Sequence, residues 1–234
     1  MNANECPKTP DPTINLRLFA PRQARGRELR RTAFICGSML VLASLGSVGR
    51  ATACELPQVR DPGRPRIVYR LGEGQGQVRF EAKAFMHDFT GKTSKVTGAI
   101  RLTQPDRLAE AEACVRIDAA SLDTGNSTRD DIMRKDHLET AAFPTVDFLL
   151  RSLEGTTPQP GGWEFVAKGT LSLHGVTREI LLPIRARQAG DSVRLTGDIP
   201  LKMTDHRIRI PKFLFFTVED QVVVSFDVTA RRAQ

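Results

Sequence analysis

Val78-Arg79-Phe80-Glu81-Ala82-Lys83-Ala84-Phe85-Met86-His87 changes character at almost every step. Val78, Phe80, Ala82, Ala84 and Met86 form one set, and Arg79, Glu81, Lys83, Phe85 and His87 the other, mostly polar one. A period of two sends alternate side chains to opposite faces of an extended chain, so the stretch predicts a half-buried β-strand. The alternation returns in Val96, Gly98, Ile100 and Leu102, in Ala111, Ala113, Val115 and Ile117, and in Val146, Phe148 and Leu150. It continues through residues 163–173, 180–186, 193–203 and 222–228, which makes eight candidate strands in all.

Between these runs lie Thr90-Gly91, Gln104-Pro105-Asp106, His174-Gly175 and Ala189-Gly190-Asp191, residue types that favour turns. Residues 121–143 interrupt the pattern. There Asn126-Ser127-Thr128 can cap a short helix over about 128–138, with Asp130 and Asp131 in its first turn and Lys135 and His137 near its end, as the helix dipole favours. The expected fold is all-β, an extended eight-stranded antiparallel β-barrel with one short inserted helix, since closure removes exposed strand edges. Ala82, Ala84, Gly98, Ala167, Gly169 and Gly197 share the apolar register with Phe80, Phe148, Phe165 and Leu171, which predicts an apolar lumen that is underfilled in places.

The N-terminal quarter has a different character. Arg25, Arg27, Arg30 and Arg31 precede the apolar run 33–45, and Ala51-Thr52-Ala53 follows it. Basic region, apolar core and A-x-A site read as a secretory leader over residues 1–53, followed by a flexible segment 54–65. The run is shorter than the roughly 20 residues that cross a bilayer core. Arg30-Arg31 suggests twin-arginine export, but Phe34 sits one place late for that signal, so ordinary unfolded export is favoured. Cys54 directly after Ala53 raises lipid attachment at a new N-terminal cysteine, against which Ala51 stands where such signals usually carry Leu. Subtracting the leader's eight bases and three acids from the full 34 and 27 leaves 26 against 24, a net charge of +2. That balance gives no reason to expect a nucleic-acid surface. Cys54 and Cys114 are the two cysteines beyond the leader, and a bridge between them is open in an oxidising compartment.

Three ordered motifs carry a family resemblance: Ser121-Leu122-Asp123-Thr124-Gly125-Asn126-Ser127-Thr128-Arg129-Asp130-Asp131, Phe143-Pro144-Thr145-Val146-Asp147-Phe148, and Gly169-Thr170-Leu171-Ser172-Leu173-His174-Gly175-Val176-Thr177-Arg178-Glu179. Together they resemble the YceI-like family, lipocalin-like exported proteins associated with polyisoprenoids and isoprenoid quinones. The resemblance spans about residues 66–231 and implies a barrel whose lumen holds a long isoprenoid chain. It implies binding and carriage outside the cytoplasm, periplasmic or secreted, with no catalysis and no cofactor beyond the bound isoprenoid lipid. Met203-Thr204-Asp205-His206-Arg207-Ile208-Arg209-Ile210-Pro211 departs from the Arg-x-x-Phe-Gly-like segment of many members.

Phe80, Ala82, Ala84, Met86, Phe148, Phe165, Ala167, Leu171 and Phe215 are the candidate lumen residues. Contact with a membrane is expected during lipid transfer or through an acylated Cys54, and homodimerisation is left open. A surface-acting adaptor with a packed barrel is the first alternative. A metal or acid/base site near His87 and His206 is the second, although the four histidines show no ligand spacing.

Overall fold

The computed structural model describes residues 54, 56, 66–85, 87–104, 108–213 and 216–233. The expected leader, most of the 54–65 segment and Met86 lie outside them, as do Leu214 and Phe215. Eleven strands run through these residues: β1 (Ile67–Leu71), β2 (Gly76–Ala84), β3 (Phe89–Thr93), β4 (Val96–Leu102), β5 (Glu112–Asp118) and β6 (Thr145–Gln159) come first. Then follow β7 (Gly162–Leu173), β8 (Val176–Ala189), β9 (Ser192–Lys202), β10 (Lys212–Phe213) and β11 (Phe216–Arg232). All pairings are antiparallel, in the order β1-β4-β5-β6-β7-β8-β9-β11, and β11 returns to β1. That circuit is the eight-stranded, lipocalin-like barrel.

Its closure is shared. Along one edge β11 pairs with β2 from Val218 to Val228, and only then with β1, at Tyr69↔Arg232 and Arg70↔Arg231. At the β1 end Tyr69, Leu71, Val78, Val96, Leu102, Val228 and Ala230 form the buried cluster. At the β2 end the hairpin β2–β3 continues outward, held to Asp123 by a single bridge at Lys92. Thr90-Gly91 lies inside β3 rather than in a turn, with Gly91 opposite Phe80.

The small residues do not simply leave space. A side chain added at Gly169 would come within 2.5 Å of the Phe148 ring, and one at Gly197 within 2.8 Å of the Phe226 ring. These glycines are seats for aromatic rings from the neighbouring strand, a known means of stabilising glycine in a sheet. The expectation of an underfilled lumen is corrected for that part of the barrel.

The inserted helix α1 spans Ser127–Ile132 and passes into a π-helical turn, Met133–His137. The Asn126 side chain caps it by accepting from the Arg129 amide at 3.1 Å. His174 and Gly175, with φ of 50° and 71°, form the two-residue turn between β7 and β8, the conformation a tight hairpin requires. Cys54 and Cys114 are joined by a disulfide on the outer face of β5, beside Ala99.

One break in the ladder shapes the site. β8 and β9 pair only from Arg185↔Thr196 to Ala189↔Ser192. Pro183 stands just beyond the last pair; its carbonyl faces Gly197, and it has no N–H to donate on that side. From there the strands diverge. The segment after β9, which turns through Thr204–His206, fills the opening.

Candidate functional site: an apolar cavity at one end of the barrel

Adjoining the buried cluster, with which it shares Val78, lies an open cavity of about 690 Å³. Val78, Phe80, Ala82 and Ala84 of β2 form one wall, continued by Val218, Val222 and Val224 of β11. The register explains this wall, because Ala82 opposes Val222 and Phe80 opposes Val224, so their inward sets merge. Leu201, Met203 and Leu173 close one side, while Ile132, Met133 and Leu138 of the helical insertion close another. The volume lies within the range of about 300–1,000 Å³ usual for small-ligand sites.

Arg129 stands at the edge of this space. Its Nε donates to the Thr124 hydroxyl at 2.7 Å, and one Nη donates to the Thr124 carbonyl at 2.9 Å. The guanidinium lies 4.6 Å over the Phe89 ring, itself part of the wall. The Thr124 hydroxyl in turn donates to buried Asp130 at 2.6 Å, and the Thr124 amide donates to the same oxygen at 3.0 Å. Burial works against ionisation of Asp130, but the hydroxyl and amide bonds prevail and hold its carboxyl below the ordinary value. The sequence motif at 121–131 is therefore a knot that fixes the helical insertion over the cavity.

Met203, Ile208 and Pro211 bring the post-β9 segment into the wall. Three histidines bind that segment to the rest of the barrel. His137 Nδ1 donates to the Arg209 carbonyl at 2.8 Å, and His174 Nδ1 to the His206 carbonyl at 3.0 Å. His206 is 2 % exposed and lies 3.4 Å from the Val176 carbonyl, while Arg178 donates to the Asp205 carbonyl at 2.6 Å. Burial, assisted by Arg178, pushes the His206 pKa down, outweighing the Val176 carbonyl and Asp205.

Of the residues singled out from sequence, Phe80, Ala82 and Ala84 line the cavity. Phe148, Phe165, Ala167 and Leu171 do not: Phe148 covers Gly169, Ala167 and Leu171 are buried, and Phe165 borders a different hollow. Met86 and the Phe215 side chain fall outside the described residues. Phe89 and the helix residues were not foreseen, because neither belongs to a long alternating run. Val222, Val224 and Leu201 carried the inward register and could have been chosen by it. His87 is exposed, and no cluster of metal-ligating side chains occurs among the described residues.

The second hollow, about 680 Å³, lies across β6 to β9, β11 and β2, where Thr196, Asp198, Ser225 and Asp227 alternate with inward residues. Ion pairs run along this surface, between Arg185 and Glu164 at 2.9 Å and between Arg194 and Asp227. Its wall is as much polar as apolar, with Phe165, Ile184 and Phe226 among the charged and hydroxyl groups. No helix among the described residues is long and apolar enough to cross a membrane.

Known proteins agree with this architecture. BcnA of Burkholderia cenocepacia superposes with a TM-score of 0.59 at 20 % identity, covering 68 % of this chain and 98 % of that one. A polyisoprenoid-binding domain from Saccharophagus degradans, implicated in plant cell wall breakdown, superposes with a TM-score of 0.56 at 18 % identity, covering 70 % and 98 %. No curated protein matches the chain. A model of the YceI-like domain matches residues 69–230, so with barrel, motifs and inserted helix in place, the chain belongs to the YceI-like family.

Proposed function

We propose that this protein binds an elongated apolar lipid, a polyisoprenoid or an isoprenoid quinone, in the cavity and carries it outside the cytoplasm without catalysing a reaction. The barrel of residues 66–231 does this work after export, once residues 1–53 have been removed. The observation that carries the reading is the 690 Å³ space walled by β2 and β11, whose inward side chains from Val78 to Ala84 and Val218 to Val224 are apolar. Each methylene taken from water into such a space contributes about 0.8 kcal/mol, so a long chain is held by length rather than by any single contact. The polyisoprenoid-binding domain of Saccharophagus shares the fold, which supports this ligand class.

Phe85 is 85 % exposed and follows Ala84 at the end of the β2 wall. In this reading we assign to it the contact with a bilayer while a lipid is handed over. Lipid extraction and mass spectrometry of protein purified from its own host tests the reading. An isoprenoid chain at near-stoichiometric amount is expected. Lipid-free protein that also fails to take up ubiquinone or a polyprenol would sink the proposal and leave the surface adaptor in its place.

A further inference from the structure

We propose that residues 203–211 are a flap over a side gate in the barrel wall, that lipid enters and leaves the cavity through this gate, and that His206 is the latch that frees the flap as the pH falls. The proposal rests on the carrier reading above and adds to it the route and regulation of exchange.

The first observation is a missing length of wall. β8 and β9 stop pairing at Arg185↔Thr196, so Val176 to Ile184 on one strand and Gly197 to Lys202 on the other share no ladder. What walls the cavity at that place is the flap, through Met203, Ile208 and Pro211. A fixed mouth admits a long chain only end-first, whereas a gate along the wall admits it broadside.

The second is the way the flap is attached. Its two ends are tied close together on β11. At the start, the Met203 amide donates to the Asp220 carbonyl at 3.0 Å and the Thr204 hydroxyl to the Asp220 carboxylate at 2.6 Å. At the finish, the Val218 amide donates to the Pro211 carbonyl at 3.1 Å. Between them the flap is bonded to itself, with the His206 and Ile208 amides both donating to the Met203 carbonyl at 3.0 Å. A loop with neighbouring ends and internal bonds can swing as one piece. Its middle is held by His206 against the Val176 carbonyl, by His174 on the His206 carbonyl, by Arg178 on the Asp205 carbonyl, and by His137 and Glu139 on Arg209.

The third is strain. Glu139, His174 and Arg207, with φ of 46°, 50° and 58°, are the non-glycine residues in the left-handed region among the described residues. All three stand at this contact: Arg207 in the flap, His174 in the β7–β8 turn, and Glu139 beyond the helical insertion. Strained backbone of this kind collects at clamps and switches.

The latch follows from what surrounds His206. Burial lowers its pKa and Arg178 adds to this, while the Val176 and Leu173 backbone and Asp205 offset it only in part. A proton is therefore taken up more readily when the flap is out. Arg178, His174, Glu139, His137 and Asp220 face the flap from the neighbouring elements, and Asp205, Arg207 and Arg209 belong to it. A proton on His174 strengthens its contact with Glu139, at 3.7 Å, so the loosening belongs to His206.

A cross-link tests the gate. Arg178→Cys and Asp205→Cys, both at exposed positions, are introduced into the full chain together with Cys6→Ser and Cys36→Ser, and the two new thiols are joined by a short bis-maleimide. Protein loaded with ubiquinone or geranylgeraniol beforehand is mixed with phosphatidylcholine vesicles, and transfer is timed. Joining the thiols is expected to slow transfer about tenfold or more, while each single-cysteine variant carrying the reagent keeps the rate of the unjoined protein. In the unaltered chain transfer is expected to quicken from about pH 7.5 to 5, and both His206→Gln and the joined protein are expected to lose that response. Equal rates with and without the link overturn the gate and leave the carrier reading intact, the lipid then passing through the open mouth. A pH response that survives in His206→Gln or in the joined protein overturns the latch. Failure of the unaltered chain to take up either lipid overturns the proposal and the carrier reading together.

Discussion

At the scale of single residues, alanine and glycine on the inward register have two different meanings. Ala84 faces open space, whereas Ala167 is 1 % exposed and lies two residues from Gly169, which Phe148 already covers. The pair gives a direct test. Ala167→Phe is expected to overpack the barrel at a cost of about 1–3 kcal/mol, a fall of several degrees in Tm for a domain of this size. Ala84→Phe is expected to leave Tm within a degree or two and to prevent lipid uptake. If calorimetry shows both variants equally destabilised, the cavity end is as well packed as the rest. The sequence identified both positions as inward-facing because alternation is a local property. It could not distinguish them, because whether a ring covers a small residue depends on the partner strand's register, and Phe148 lies 21 positions from Gly169.

At the scale of elements, the alternating runs were legible as strands, and β1 and β3 were not. Ile67-Val68-Tyr69-Arg70-Leu71 is short, and Thr90-Gly91 has turn-like composition although the chain is extended there. A cap at Asn126, Ser127 or Thr128 was readable because capping is decided within a few residues, and the structure assigns it to Asn126. The post-β9 segment stood out as a departure from the family pattern, but its place between β8 and β9 follows from their divergence after Pro183, which no local pattern encodes. Its attachment predicts a pH dependence. The folded-state pKa of His206 is lowered, so the unfolded chain takes up a proton that the folded chain refuses. Stability is therefore full above the ordinary histidine value of about 6.5 and falls as the pH drops below it. Arg178, Asp205, His174 and Glu139 surround this segment, and Asp220, held below the ordinary range chiefly by the Thr204 hydroxyl, titrates far lower in pH. Between pH 7.5 and 5 the Tm of the unaltered protein should fall, and that of His206→Gln should fall less from a lower start. Parallel curves for the two would show that His206 does not carry the dependence.

At the scale of the whole molecule, the barrel is closed by two kinds of bond. The β1–β11 seam contributes two residue pairs, and the Cys54–Cys114 disulfide ties the chain ahead of β1 to β5 across a separation of 60 residues. In the chain-entropy picture a loop of that length is worth about 4 kcal/mol, so Cys54→Ser or a reductant is expected to lower Tm by roughly ten degrees. An unchanged Tm would mean that the seam holds without the bridge. An eight-stranded barrel was expected from eight alternating runs, and the closed circuit does have eight strands, but β2 was counted among the runs and β1, which makes the seam with β11, was not. The bridge was visible only as two cysteines able to pair, since nothing in their spacing brings residue 54 to the outer face of β5. The bridge also bears on the chemistry open to Cys54. A sulfur bonded to Cys114 cannot also form the thioether of a lipid anchor, so the bridged chain has no thioether at Cys54. A barrel acylated at Cys54 would stay with its membrane and leave the Cys114 thiol buried and unpaired. Bridge and anchor would compete for one sulfur atom, so a chain that carries the one cannot carry the other.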